Sequence, residues 1–114
     1  VFGEKPELKP YEFEDGKYDK VILACPVWAS KCAAPMNTFL AEHGDALREL
    51  GGENIGILLC QSGNGAQKVA AKYKETLNTK RFAGELVLID PARKPNLRLQ
   101  NDAAVDAFCR QCLL

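Results

Sequence analysis

Three apolar runs punctuate the chain. Val21-Ile22-Leu23-Ala24-Cys25 is stopped by Pro26, Ile55-Gly56-Ile57-Leu58-Leu59-Cys60 by Gln61-Ser62-Gly63, and Leu86-Val87-Leu88-Ile89 by Asp90-Pro91. Short continuous runs of this kind, bounded by turn residues, predict strands buried on both faces. Between them the apolar period changes from that of a strand to that of a helix. Met36, Phe39, Leu40, His43, Leu47 and Leu50 fall on one helical face, which Gly51-Gly52 ends. Gly44 weakens the middle of that helix by about 1 kcal/mol relative to Ala and marks where it would break. Ala66, Val69, Ala70, Tyr73 and Leu77 repeat the spacing. Val105, Phe108, Cys109 and Cys112 form a last stripe after Asn101-Asp102, which reads as an N-cap pair.

The order is therefore β-α-β-α-β-α, and it predicts a parallel sheet covered by helices. Residues 91–100 read as a loop rich in Pro and basic residues. Residues 1–18 read as an extended polar N-terminal segment, because Pro6 and Pro10 bias their predecessors away from helix. Within it, Tyr11 and Phe13 alternate with Glu12 and Glu14. Residues 19–114 read as one α/β domain.

Charge narrows the range of partners. The 114 residues carry 15 basic and 15 acidic side chains, for a formal net charge of zero. No basic stripe points to nucleic acid and no basic amphipathic helix points to a membrane surface. No apolar run approaches the roughly 20 residues that span a bilayer. Five cysteines (Cys25, Cys32, Cys60, Cys109 and Cys112) with no regular framework suit a reduced, cytoplasmic protein.

In open α/β sheets ligands gather at the carboxyl ends of the strands. The loop after the first run, Pro26-Val27-Trp28-Ala29-Ser30, carries the single Trp of the chain. A planar ring there suits stacking on a flat ligand, and equally suits capping the sheet. The loop after the second run, Gln61-Ser62-Gly63-Asn64-Gly65, opens straight into a helix. Small residues allow close backbone approach, and a plain tight turn has the same composition. Asp90 reads as a turn residue. His43 reads as a satisfied interior or boundary residue rather than a base. Cys109 and Cys112 have C-x-x-C spacing but lie late in the last helix, not at the helix N-terminus where such pairs are reactive. No second pair is spaced to complete a zinc site.

The stretch Tyr18-Asp19-Lys20-Val21-Ile22-Leu23-Ala24-Cys25-Pro26-Val27-Trp28-Ala29-Ser30, followed by Ala34-Pro35-Met36-Asn37-Thr38-Phe39-Leu40, resembles the flavodoxin family. Cys60-Gln61-Ser62-Gly63-Asn64-Gly65-Ala66 resembles that family's next flavin loop. The resemblance implies a three-layer flavodoxin-like α/β sandwich, truncated to strands equivalent to the family's third, fourth and fifth. It implies FMN as cofactor, with Pro26, Val27, Trp28, Ala29 and Ser30 beside the flavin ring and Gln61, Ser62, Gly63, Asn64 and Gly65 closing its other side. Ser30 stands where the family commonly has glycine. The family's Ser/Thr-rich phosphate loop has no counterpart in residues 1–18, and the first two strands have none either.

Three functions follow from the resemblance. One is electron transfer between FMN and a redox partner protein or a small-molecule electron acceptor. Another is FMN-dependent reduction of a quinone or nitro compound. The third is a flavin-free fragment or interaction module. An apolar strand with no neighbour on one side also predicts a homo-oligomer.

Overall fold

The computed structural model describes residues 5–28, 31–32 and 34–113; the side chains of Trp28, Lys31 and Cys32 fall outside that description. Seven elements follow one another: β1 (Val21–Trp28), β2 (Lys31–Cys32), α1 (Ala34–Leu50), β3 (Ile55–Gln61), α2 (Ala66–Thr76), β4 (Gly84–Ile89) and α3 (Arg98–Leu113). Short 3-10 turns lie at Gly52–Asn54 and Pro95–Leu97. The sheet order is β2-β1-β3-β4. β1, β3 and β4 are parallel, with Val21 opposite Ile55 and Gly56 opposite Gly84. β2 is a two-residue antiparallel addition at the far end of β1, pairing Val27 with Cys32 and Trp28 with Lys31. The α/β alternation and the parallel pairing are as the periodicity predicts.

The main core lies on one side of the sheet. Leu23, Cys25 and Val27 of β1 and Ile55, Ile57 and Leu59 of β3 meet Leu40 and Leu47 of α1, Val69 and Tyr73 of α2, and Leu77 just after it. Every predicted apolar position of α2 is buried or half-buried. Gly44 does not break α1. It is buried, and the Arg48 guanidinium lies over it.

On the other side α3 packs along β4 and reaches β3 through Phe108 and Cys112, both buried. It does not cover β1. Burial along β1 consequently alternates: Leu23, Cys25 and Val27 are buried while Ile22, Ala24 and Pro26 are exposed. Val87 and Ile89 of β4 are exposed as well, at 40% and 45%. The expectation of burial on both faces therefore holds best for the central strand β3. Apolar composition reported what the strands can bury, and among the described residues three helices are there to cover them.

Three boundaries differ from the sequence reading. Pro26 does not stop β1, which runs on to Trp28. Among the described residues the edge of β1 away from β3 is paired only where β2 lies, and on an open edge a missing N–H forfeits no ladder bond. α3 begins at Arg98, so Asn101-Asp102 lies inside the helix and is not its N-cap. Pro95 in the 3-10 turn supplies the entry instead, its fixed φ suiting a first helical turn. Residues 91–100 are for the same reason only partly loop.

Residues 5–20 form neither helix nor strand. They nevertheless pack. Phe13 joins the rim of the core and meets the Phe39 ring edge-on, with centroids 5.0 Å apart. Thr38 Oγ1 donates to the carbonyl of Pro6.

Candidate functional site

Parallel pairing sets the geometry of the candidate site. Pro26 stands opposite Cys60, so the chain leaves β1 and β3 at the same end of the sheet, on adjacent strands. The third strand ends alongside, where the Asp90 amide donates to the Gln61 carbonyl at 2.8 Å. Asp90 has φ of 45° and accepts the amides of Arg93 and Lys94, which makes it a turn residue. Of the residues assigned from sequence, Ala29 and Ser30 and the side chain of Trp28 lie outside the described residues.

Pro26 is exposed and Val27 is buried in the core, so these two neighbours point to opposite faces of the sheet. The second loop is fully described. Ser62, Gly63 and Asn64 are exposed, and a Cβ on Gly63 would meet nothing within 4 Å. Gly65, at φ 109°, adopts the left-handed conformation that turns the chain into α2. Gln61 Oε1 accepts the Ala66 amide at 3.0 Å, so its side chain caps the first turn of α2. That contact removes one of the amides an anion would use.

These residues fit a flat ligand lying against an open backbone loop. They do not fit its phosphate: residues 5–18 contain no Ser or Thr, so that segment supplies no hydroxyl-rich turn to cradle it. Among the described residues no group of three His, Cys, Asp or Glu side chains is placed to hold a metal ion, and no helix is long and apolar enough to cross a membrane.

The cysteines divide differently from the sequence reading. Cys25 is disulfide-bonded, whereas Cys60, Cys109 and Cys112 are free thiols. A fully reduced chain is therefore not what the fold contains; linear spacing does not reveal which sulfurs meet. Because a disulfide sulfur carries no hydrogen, the buried Tyr73 hydroxyl is the donor in its 3.2 Å contact with Cys25. Cys112 is buried, and burial pushes its thiol up from the ordinary value, which disfavours the thiolate that redox exchange uses.

A cleft of about 660 Å³ lies at the opposite, amino end of the strands, where Lys20, Glu53, Arg81 and Glu85 line it. Its charges are committed or balanced. Lys20 donates to Asn54 at 3.0 Å and Glu85 pairs with Lys74 at 2.9 Å. Volume alone does not make it the better candidate.

A constellation that the periodicity did not reveal surrounds His43 on α1. Its Nδ1 lies 2.8 Å from Asp15 and its Nε2 lies 2.7 Å from the Tyr11 hydroxyl, which also meets Glu42. The partners are separated from His43 by 28 and 32 positions in sequence, so no local pattern could have found them.

No protein-family model, curated protein or solved structure matches the chain. The resemblance of its loops to the flavodoxin pattern thus rests on the residues themselves.

Proposed function

We propose that this chain contributes the ring-side loops of a flavodoxin-type FMN site and serves electron transfer to a redox partner protein or a small-molecule acceptor. The observation that carries this reading is the pairing of Pro26 with Cys60, which brings the ends of β1 and β3 together at one end of the parallel sheet. The flavin would supply the electron chemistry. The chain would hold and orient the ring between the segment after Pro26 and the open backbone of Ser62-Gly63-Asn64, and shield it from water. No acid or base from the chain is needed. In this reading the phosphate is held by groups outside the described residues.

Fluorescence titration with FMN and, in parallel, with riboflavin tests the reading. Ring-side binding quenches both at similar concentrations, because riboflavin keeps the ring and lacks the phosphate. Quenching by neither overturns the proposal. A strong preference for FMN would show that this chain itself holds the phosphate.

A second reading rests on a different observation. Among the described residues no strand lies beside the outer edge of β1 from Val21 to Pro26, and Ile22 is 39% exposed on the face that α3 leaves uncovered. Open apolar edges pair with other chains. Self-association through β1 predicts a dimer by sedimentation at micromolar concentration, and a stable monomer under those conditions excludes it.

A further inference from the structure

A cleft of about 380 Å³ opens beside Val21, the first residue of β1, at the opposite end of that strand from the candidate flavin loops. Leu47 and Leu50 of α1 line it with Val21, and Phe13 and Tyr18 bring aromatic rings to it. A turn in the N-terminal segment builds this wall. The Lys17 amide donates to the Glu14 carbonyl at 3.2 Å, and Gly16, at φ 76°, takes the left-handed conformation that glycine favours in such turns. The rings on either side of the turn meet with centroids 4.9 Å apart and planes inclined by 39°. Phe39 holds the Phe13 ring edge-on, while Tyr18 is 38% exposed.

The charged side chains in the lining are two carboxylates, Asp15 and Glu49, and no Lys or Arg joins them. The imbalance is local, because the chain as a whole carries no net charge. The basic residues nearest in sequence are held elsewhere. Lys17 pairs with Glu14 and Arg48 with Asp45, each at 3.2 Å, and Lys20 donates to Asn54. Asp15 Oδ1 accepts the hydrogen of His43 Nδ1, which ties that carboxylate to α1. Among the described residues its other oxygen has no hydrogen-bond partner, and neither oxygen of Glu49 has one.

An apolar floor, ring faces and unneutralised carboxylates together select a cation on an apolar stem. The stem leaves water, the ring quadrupoles attract positive charge, and a cleft carrying one sign of charge concentrates the opposite ion. Open carboxylate oxygens also accept N–H donors. We propose that this cleft binds a primary alkylammonium ion, its stem on Val21, Leu47 and Leu50 and its head between Tyr18 and the carboxylates of Asp15 and Glu49. The site is independent of the flavin reading.

A nitrogen–proton NMR titration of the whole chain, at fixed ionic strength, tests it with hexylammonium, hexanesulfonate and hexanol. Hexylammonium should give saturable shifts at the amides of residues 13–21 and 46–50. The anion and the alcohol should bind roughly tenfold more weakly or worse, because they keep the stem and lose the charge. Glu49→Gln and Tyr18→Leu, both at exposed positions, should each weaken hexylammonium roughly two- to fivefold, with unshifted amides elsewhere showing that the fold is intact. Competition by Nα-acetyl-lysine amide would uphold the site and assign the head to a peptide side chain; its failure beside bound hexylammonium would assign a free amine. Absence of saturable shifts in the cleft, hexanol binding as tightly as hexylammonium, or parental affinity in both variants overturns the proposal.

Discussion

The sulfur of Cys112 occupies the space that a side chain on Gly56 would need: a Cβ built there lies 2.5 Å from Sγ. Gly84, opposite Gly56 on the neighbouring strand, meets the same sulfur at 2.9 Å. Two paired glycines thus form a shallow seat for α3. Gly56→Ala should destabilise the fold by about 1–3 kcal/mol through overpacking, read from urea denaturation. Adding Cys112→Ala should recover most of that loss, since the alanine vacates the contested space. Equal losses in the single and double variants would show that the seat is not the cause.

Gly44 gives the opposite expectation. The atoms nearest a Cβ there belong to the guanidinium of Arg48, at 2.9 Å, the far end of a flexible side chain that is 39% exposed and pairs with the exposed Asp45. Gly44→Ala should therefore stabilise the protein by about 0.5–1 kcal/mol through helix propensity, seen as a higher denaturation midpoint.

Tyr11 should ionise late. Glu42, which accepts its hydroxyl hydrogen, pushes its pKa from the ordinary 10.0 up to about 12. The folded state favours the neutral phenol, so this contribution is complete below about pH 10 and is lost as pH rises through about 12. Glu42→Gln should move the phenolate absorbance of Tyr11 back toward the ordinary range. An unchanged titration would remove Glu42 as the cause.

Gln61 caps the helix that follows the second candidate loop. Gln61→Ala should cost about 0.5–1.5 kcal/mol and weaken flavin quenching if the loop is part of a ring site. Stability lost with quenching unchanged would separate the cap from the ligand.

Ile22→Lys places a charge on the open strand edge. Edge lysines block pairing between chains, so this variant should sediment as a monomer under conditions where the parent associates. Association that survives the substitution would place the contact elsewhere.

The elements that local periodicity specifies were readable. Ala66, Val69, Ala70 and Tyr73 share a face in sequence and in α2, with Leu77 following at its C-terminus, and the apolar run at Ile55 became the buried centre of the sheet. What needs two distant segments was not. Nothing near Gly56 announces Cys112, nothing near His43 announces Asp15 or Tyr11, and the apolar letters of β1 do not say that one of its faces lacks a helix. The disulfide at Cys25 belongs with these, as a product of proximity rather than spacing. At the candidate site the second loop was legible as a strand-to-helix turn, while the role of Gln61 as its cap was not.

The seat formed by Gly56 and Gly84 also orders assembly in time. Both strands that carry it precede α3 in the chain, so during synthesis they leave the ribosome before the helix that fills it. Phe108 and Cys112, in the final turns of α3, come last. Until they arrive, one face of β3 and β4 is apolar surface open to other chains. The interval between translating β4 and docking α3 is therefore one in which that apolar face is open to misassembly.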